Sequence, residues 1–330
     1  MAHGAALRSQ LCTEGSLCSP ELVRWAYLIR PAWDPGGVWD PQSTGSPVIR
    51  HRKLWEYAFI ARALEERGML APGRRGLGFG VGAEPLVAAF AARGCQVVAT
   101  DLDPDRARQA GWAPAGGAPE DLNRLGLCPP EEFAERVSFR PVDMNRIPAD
   151  LGGFDFLWSS CALEHLGSIL QGQAFVLSAM RCLRPGGVAV HTTEFNLSAD
   201  DATVDYAPTV LLRRRDVQRL VQLLRQAGHQ VEEPDLDPGS SPADRHVDTT
   251  PPGQVTWLHL KCLEGGFITT SLGLIVTRGL RTTTSQRLRL AAQAGARRRL
   301  GGSLARLPPR HRARATALLA RIRGAGAGLS

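Results

Sequence analysis

The sequence predicts an α/β fold built around a doubly wound, mostly parallel sheet, and two stretches carry that prediction. In the first stretch, a short apolar strand near Leu77 and Phe79 is followed by alternating glycines and then by a helix. Residues 95–100 then form an apolar, β-branched strand that ends at Asp101. In the second, residues 154–159 (FDFLWS) are apolar at nearly every position, as a strand covered on both faces requires. Strands that alternate with helices in this way indicate parallel βαβ units.

Three glycines alternate along the end of the first strand, at Gly78, Gly80 and Gly82. Without side chains, these positions let the backbone turn and approach a ligand closely. Asp101, just past the second strand, offers two carboxylate oxygens that can accept hydrogen bonds from both hydroxyls of a ribose. Together these features predict a nucleoside-binding site. The series Gly78, Gly80 and Ala83 also satisfies the dinucleotide fingerprint, so an NAD-dependent oxidoreductase is an alternative on this stretch alone.

The composition narrows the class of protein. A chain of 330 residues can form one large α/β domain with additions or two small domains. It contains no run of about 18 apolar residues, so we expect no membrane span. Its first twenty residues lack the positive cluster and apolar core of a secretory signal. The seven cysteines are scattered and odd in number, which predicts reduced thiols in the cytoplasm and no cysteine-based metal cluster.

The positive charge is concentrated at the C-terminus. Residues 278–330 contain 13 Arg and no Asp or Glu, whereas the rest of the chain carries 26 basic and 32 acidic residues. A narrow apolar stripe at Ala315, Leu318, Leu319 and Ile322 predicts helices that pack on the body or on a second subunit of a homodimer. Binding of an acidic partner is the alternative. The tail lacks interleaved aromatic residues, which disfavours single-stranded nucleic acid as the partner.

Three segments are expected along the chain. Residues 1–70 form an N-terminal helical cover, with one helix from Glu21 to Ile29 and a second from His51 to about Gly68, where apolar residues recur at helical spacing. Residues 71–280 form the α/β domain. Residues 281–330 form the Arg-rich helical tail.

The second half of the α/β domain continues the alternation of strands and helices. The patterns predict strands over 137–141, 188–191, 229–232 and 267–277, and helices over 173–183 and 216–227. Residues 234–256, rich in Pro, Asp, Ser and Thr, predict a long loop before the last strand. Loops longer than about 15 residues are often functional lids, so this one is expected to close over a substrate.

Two stretches of this half carry a specific pattern, namely SCALEHLG after the FDFLWS strand and LRPGG (183–187) before the next strand. With the alternating glycines, they resemble the first and the fourth to sixth motifs of class I S-adenosylmethionine (SAM) dependent methyltransferases, over about residues 74–196. The resemblance implies a Rossmann-like sheet of seven strands, of which the last is antiparallel, and SAM as the cofactor. It therefore disfavours the NAD-dependent alternative.

The resemblance also implies which residues bind the cofactor. In the family pattern, an acid after the third strand, here Asp143, reaches the adenine amino group, and its neighbour Met144 packs on the ring. The acid that the family has two positions before the first glycine is Gly76 here, so Glu84 is expected to compensate near the methionine part of SAM. The expected cofactor residues are Gly78, Phe79, Gly80, Gly82, Glu84, Asp101, Leu102, Asp143, Met144 and Ser159.

Methyl transfer to a hydroxyl needs removal of a proton, for which an imidazole is suited. His165 is the expected general base, because it follows the central strand at the sheet edge where open α/β folds bind ligands. His191 and Glu194, in HTTEFN, are expected to follow the next strand and to line the same cavity as further catalytic residues. Glu164, His165, His191 and Glu194 could hold a divalent cation, but their spacing matches no recognised metal motif, and no metal is predicted.

The sequence thus predicts a SAM-dependent methyltransferase that acts on a small polar metabolite at a hydroxyl oxygen. Transfer to nitrogen, or to a peptide or carrier-bound substrate, is the first alternative. A NAD-dependent oxidoreductase and a non-catalytic SAM-binding protein are the others. The N-P-P-Y signature of nucleic-acid amino methyltransferases is absent, since WSSC stands at that place.

Overall fold

A computed structural model of the chain describes residues 6–29, 50–103, 105–107, 119–206, 208–250 and 258–280. The expected helices of the Arg-rich tail, and the last part of the expected loop, lie outside these residues. None of the helices in the described ranges has the length and apolar character needed to cross a membrane.

Ten strands are present in the described residues, most of them in one sheet. In chain order they are β1 (Gln10–Leu11), β2 (Arg50–His51), β3 (Arg75–Phe79), β4 (Gln96–Asp101), β5 (Val137–Pro141), β6 (Phe154–Ser160), β7 (Leu183–Asn196), β8 (Leu258–His259), β9 (Cys262–Glu264) and β10 (Phe267–Thr277). The main sheet has the order β1-β10-β7-β6-β3-β4-β5, and β9 pairs with β10 off this path. β2 and β8 form a separate parallel pair.

Eight α-helices flank these strands. They are α1 (Glu14–Leu17), α2 (Pro20–Ile29), α3 (Arg52–Glu66), α4 (Leu86–Ala91), α5 (Pro130–Arg136), α6 (Ile169–Ala179), α7 (Arg214–Gln226) and α8 (Pro242–Arg245), among the residues that the structure describes. α2, α3 and α4 bury one face of the sheet together with residues such as Trp158 and Val190. α6 and α7 bury the opposite face with residues such as Leu157 and Ala189.

This arrangement confirms the predicted fold class. The strands from β3 to β7 pair in parallel, and β10 runs antiparallel to β7. The strand path β1-β10-β7-β6-β3-β4-β5 contains seven strands, as expected for the Rossmann-like sheet.

Two expected strands differ from the observed ones. The strand expected over 188–191 runs on through Asn196, because β10 pairs with every residue from Val188 to Asn196 and so extends the ladder. The expected strand over 229–232 contributes only a single bridge, from Gln230 to Thr277. The edge beside β10 is instead taken by β1, an N-terminal segment whose Gln10 pairs with Gly273.

The helix expected over 173–183 is shifted toward the N-terminus. It begins at Ile169, where the Ser168 hydroxyl accepts a hydrogen bond from the Gln171 amide and caps the first turn. It ends at Ala179 and continues as a short 3₁₀ turn through Cys182. The sequence estimate missed this because apolar periodicity locates the middle of a helix better than its ends.

The cover helix α3 begins where the sequence predicts, with the His51 side chain accepting a hydrogen bond from the Lys53 amide. It is buried along most of its length, between α2 and the sheet. Its close approach to β10 depends on Gly273, where an added Cβ would lie only 2.3 Å from Cε1 of Phe59.

The described part of the loop over 234–250 packs on the N-terminal segment. Asp244, in the short helix α8, accepts a hydrogen bond from the Glu14 amide at 2.8 Å. Asp235 bridges to Gln10, and Asp248 bridges to Cys262. This segment therefore connects the first strand of the chain to the last strands of the sheet.

Replacing Gly273 by Ala should destabilise the protein, because the new methyl group would overlap the Phe59 ring and separate α3 from β10. Overpacking of this kind costs about 1–3 kcal/mol, measurable as a fall in the free energy of unfolding in urea. Gly152→Ala is the matched control, since nothing lies within 4 Å of a Cβ at that position. Equal stability of the two variants would contradict this account of the contact between α3 and β10.

Candidate functional site

The carboxyl ends of the central strands meet along one edge of the sheet. Phe79 at the end of β3 pairs with Thr100 in β4 and with Ser159 in β6. Ser159 pairs in turn with His191 in β7. The loops that leave β3, β4 and β6 therefore emerge side by side, which is where open α/β sheets bind their ligands.

The glycine turn after β3 has the backbone geometry expected for a cradle. Gly80 and Gly82 have φ values of 61° and 50°, in the left-handed region that favours glycine. A Cβ at Gly80 would lie 2.8 Å from the Cβ of Ala162, so a side chain there would fill the turn. The Asp101 carboxylate accepts hydrogen bonds from the Gly82 amide at 2.8 Å and from the Leu102 amide at 2.7 Å. These bonds orient the carboxylate, and each oxygen retains a second lone pair.

The structure brings Met144 to the same turn. Its sulfur lies 3.2 Å from the position of a Cβ at Gly80. Asp143 precedes it and caps a short 3₁₀ helix, accepting a hydrogen bond from the Asn145 amide at 2.9 Å. The other carboxylate oxygen of Asp143 lies 3.7 Å from the Arg106 guanidinium.

Three of the expected cofactor residues contribute to the interior of the sheet instead. Gly78 leaves room for Trp158, whose Cζ2 atom would lie 2.6 Å from a Cβ there. Phe79 is fully buried in the core. The Ser159 hydroxyl forms a buried hydrogen bond of 2.8 Å with Nδ1 of His191.

Glu84 is a buried carboxyl group beside the glycine turn. Its carboxylate accepts a hydrogen bond from the Trp158 indole. Burial raises the pKa of Glu84 to about 8. Gly76, which stands where an acid was expected, has no room for a side chain, since a Cβ there would lie 2.4 Å from Cζ of Phe156. Glu84 is therefore the buried acid nearest in sequence to the turn.

A second group of polar side chains lies toward β7, and we call it the carboxylate cluster, made of Cys161, Glu164 and Glu194. Glu194 forms a buried ion pair with Arg52 at the start of α3. Glu164 accepts a hydrogen bond from the Thr193 hydroxyl at 3.2 Å. One carboxylate oxygen from each acid and the Cys161 sulfur lie within 4.8 Å of one another.

Several atoms of this group are buried without a hydrogen-bond partner among the described residues, namely Arg52 Nε, Glu164 Oε1 and Glu194 Oε2. Burial, reinforced by the nearby charge of Glu194, raises the pKa of Glu164 to about 8. Burial also raises the pKa of the Cys161 thiol well above its usual value, so this thiol stays protonated. Unsatisfied buried polar atoms are rare in folded proteins, and a water, an ion or a bound ligand can satisfy them.

His165 lies at the end of a short 3₁₀ turn beside the carboxylate cluster. Its Nδ1 atom is 2.8 Å from the Pro208 carbonyl oxygen. A carbonyl can only accept, so Nδ1 carries the proton and the lone pair of the neutral ring is on Nε2. Burial lowers the pKa of His165 below its usual 6.5, although the Pro208 contact opposes this. The imidazole is therefore neutral at physiological pH.

Sequence reasoning missed four charged residues that line this region, Arg52, Lys53 and Glu56 from α3 and Glu264 from β9. Lys53 pairs with Glu56 at 2.9 Å, and Glu56 also accepts from the Ser271 hydroxyl. Burial by itself would raise the pKa of Glu56. The charges of Lys53 and Arg52 and the hydrogen bond from Ser271 have the larger effect, so the pKa is lowered. Burial and the charge of Glu194 raise the pKa of Glu264 to about 7. The available signal was a group of three charged residues in the first five positions of this helix.

His191 lies inside the sheet and not beyond its end. Because β7 continues to Asn196, the HTTEFN residues alternate between the two faces of a strand. His191 faces the layer of α6, packs edge-on against Phe175 and is fully buried, and this burial lowers its pKa to about 3. Glu194 faces the opposite side, toward α3. The two residues expected to line one cavity are thus separated by the sheet.

Residues 77–191 match a family model described as a methyltransferase domain. No protein with a curated description matches the chain. The match runs from the strand before the glycine turn to His191, and so includes the turn, Asp101, Asp143 and the cluster residues Cys161 and Glu164.

Solved structures similar to this chain share little sequence with it. A candidate sarcosine dimethylglycine methyltransferase from Galdieria sulphuraria is 15% identical, with 69% of this chain and 88% of that chain covered and a TM-score of 0.44. A SAM-dependent methyltransferase from Aquifex aeolicus is 15% identical, with 78% and 99% covered and a TM-score of 0.37. The 1,6-didemethyltoxoflavin-N1-methyltransferase of Burkholderia thailandensis is 18% identical, with 66% and 76% covered and a TM-score of 0.38.

Replacing Glu84 by Gln should change how stability depends on pH. Because the pKa of Glu84 is raised to about 8, the folded protein holds a proton that the unfolded chain releases above about pH 4.5. The wild type therefore loses stability as pH rises from 4.5 to 8, by about 1.4 kcal/mol per pH unit, and the variant escapes this loss. Urea unfolding at pH 5, 6, 7 and 8 measures the difference.

The exposed Glu135→Gln is the matched control for removal of a carboxylate from the chain. If the free energy of unfolding of Glu84→Gln ran parallel to that of the wild type across the pH range, the assignment of Glu84 as a buried protonated acid would be wrong.

Proposed function

We propose that this chain, whose residues 77–191 match a methyltransferase domain, transfers the methyl group of SAM to a hydroxyl oxygen of a small polar metabolite, with His165 as the general base. The methyltransferase family accounts for the enzyme class and the cofactor. The acceptor, the oxygen and the base are inferred from the side chains at the sheet edge.

The residues present at the glycine turn fit SAM. Gly80 and Gly82 keep the turn free of side chains, as a closely approaching ligand requires. The oriented Asp101 carboxylate suits the two hydroxyls of a ribose, and Met144 lies where it can pack on an adenine. Glu84 is a buried acid that would release its proton and pair with the ammonium of the methionine part. We propose that the glycine turn, Asp101, Met144 and Glu84 form the cofactor site, and that Asp143 accepts a hydrogen bond from the adenine amino group.

When bound, SAM supplies a methyl group on a sulfonium sulfur that is already activated for in-line transfer. The protein must then orient the acceptor and remove its proton. Holding reactants in attack geometry can contribute about 7–11 kcal/mol to the lowering of the barrier. The buried edge beneath α3 excludes water, so each hydrogen bond there orients the acceptor more strongly than it would in solvent.

The state of His165 is the observation that carries the proposal. The Pro208 carbonyl holds the proton on Nδ1, and burial keeps the ring neutral, so Nε2 can take a proton at physiological pH. Glu194 lies close enough to stabilise the imidazolium that forms when this happens. A neutral base with its tautomer set by a backbone carbonyl suits a hydroxyl acceptor, whereas a neutral amine needs little help from a base.

The alternatives differ in what supports them. Transfer to nitrogen is the first alternative, and the labelling experiment below distinguishes it from transfer to oxygen. The methyltransferase match over residues 77–191 provides no support for a NAD-dependent oxidoreductase or a non-catalytic protein. All seven cysteines are free thiols, which supports a cytoplasmic location.

Glu84→Gln should weaken SAM binding at least tenfold in calorimetry at pH 7.5, because a neutral amide cannot pair with the ammonium of the methionine part. Glu135→Gln, on an exposed helix face, should bind SAM like the wild type. Unchanged affinity in Glu84→Gln would remove this residue from the cofactor site.

The acceptor can be identified with methyl-labelled SAM and a panel of sugars, hydroxy acids, amino alcohols and their amine counterparts. Label on a hydroxyl oxygen, located by NMR, is the expected result, and label found only on nitrogen would contradict the proposal.

With the best acceptor, His165→Asn should lower kcat by about 10²- to 10⁴-fold. Asn keeps an N–H donor for the Pro208 carbonyl but has no basic nitrogen. In the wild type, kcat should rise with pH to a plateau with a midpoint below 6.5, since burial lowers the pKa of His165, and this limb should vanish in the variant. His246→Asn, at an exposed histidine, is the control. A variant that kept most of its turnover would exclude His165 as the base.

A further inference from the structure

The region beneath the start of α3 holds more carboxyl groups than cations. Both cations are already in ion pairs, Arg52 with Glu194 and Lys53 with Glu56. Glu164 has no cationic partner among the residues described by the structure, although it is fully buried. A buried carboxylate without a counter-charge is costly, which is why the pKa of Glu164 is raised to about 8.

The carboxylate cluster also lacks hydrogen-bond donors. Glu164 Oε1 and Glu194 Oε2 are buried with no partner in the described part of the chain. The other oxygen of each acid is occupied, by the Thr193 hydroxyl and by Arg52 respectively. Two fixed acids thus present one unsatisfied acceptor each, and a ligand that satisfied both would need at least two donors and a positive charge.

We propose that the acceptor carries a protonated amine in addition to the hydroxyl that is methylated, and that Glu164 and Glu194 together bind this ammonium group. That the acceptor also carries a hydroxyl rests on the proposed transfer to oxygen. The ammonium-binding site itself does not depend on that reaction.

The spacing of the acids suits an ammonium group. Two N–H···O bonds of about 2.8 Å from one tetrahedral nitrogen reach oxygens about 4.6 Å apart. One carboxylate oxygen of Glu164 and one of Glu194 lie within 4.8 Å of each other. An ammonium has three N–H donors, so one would remain for a third neighbour in the site.

A divalent cation suits the same atoms less well. Its ligands would lie about 2.0–2.3 Å from the ion. Burial raises the pKa of the Cys161 thiol well above its usual value, so this third ligand would have to lose a tightly held proton. Arg52 and Lys53 also lie within electrostatic range of Cys161, and two fixed cations repel a divalent ion more than a single ammonium charge.

Such a site would also select oxygen over nitrogen as the methyl acceptor. An amine held between two carboxylates keeps its proton and has no lone pair with which to attack the methyl group. The hydroxyl of the same molecule remains available to His165, which follows Glu164 directly in the chain. The acceptor class is therefore that of amino alcohols, including amino sugars and hydroxylated amino acids.

Proton release on binding tests the proposal without any turnover. The full chain saturated with S-adenosylhomocysteine is titrated at pH 7.0 with ethanolamine and, separately, with ethylene glycol. Ethanolamine carries an amine at the position where ethylene glycol carries a second hydroxyl. Calorimetry in phosphate and in Tris, which differ in ionisation enthalpy, gives the protons released. Because Glu164 is protonated at this pH, an arriving ammonium should displace close to one proton into the buffer. Ethanolamine should bind at least tenfold more tightly than ethylene glycol, which should release none.

Glu164→Gln should lose at least tenfold in affinity for ethanolamine and should release no proton. Gln resembles the protonated acid in shape and charge, so the variant should fold, and its thermal unfolding checks this. Glu131→Gln, at an exposed helical position, is the matched control and should behave like the wild type.

Equal affinity of the wild type for the two probes, or proton release that survives in Glu164→Gln, would overturn the proposal. So would uptake of Zn²⁺ by the full chain that Glu164→Gln abolishes, because the cluster would then be a metal site. None of these results depends on whether label from SAM reaches oxygen or nitrogen, so this proposal and the proposed function can fail separately.

Discussion

The buried ion pair between Arg52 and Glu194 joins helix α3 to the central sheet, and the proposed acceptor site depends on it. Arg52 lies in the first turn of α3, and Glu194 lies in β7. Removing one partner of a buried pair commonly costs about 3–5 kcal/mol, because the other charge is left without compensation. The pair therefore fixes the start of the helix at the edge of the sheet where the strands end, near the buried Glu164.

A single strained residue separates the two halves of the site. Cys161 has a φ of 43°, which is uncommon for a residue other than glycine. Its amide donates to the backbone oxygen of Thr192 at 3.1 Å, which holds the turn in place. The chain then leads Ala162 to the glycine turn and Glu164 to the side facing β7. The proposed nucleoside side and the proposed acceptor side thus receive residues that lie only two positions apart in the chain, and backbone strain at such a position is typical of functional sites.

Much of the fold could be read from local patterns. The glycine turn, the buried strand β6 and the β-branched strand β10 each have a signature that neighbouring residues alone specify. The full length of β7 could not be predicted, because it depends on pairing with β10 about eighty residues later in the chain. For the same reason β1 was missed, since two residues have no periodicity and only the exposed edge of β10 makes them a strand.

The sequence by itself predicted the class of enzyme, the cofactor and the position of the glycine turn, because the motifs that carry them are short stretches whose spacing reflects local backbone geometry. It also indicated His165 and Glu194 as candidate catalytic residues. Only the tertiary structure decided that His191 lies on the opposite face of the sheet from Glu194, and that Arg52 reaches Glu194 across 142 positions of sequence. The physical reason is that burial, ion pairing and the shifted pKa values of Glu84 and Glu164 depend on which distant segments pack together, which no local pattern records.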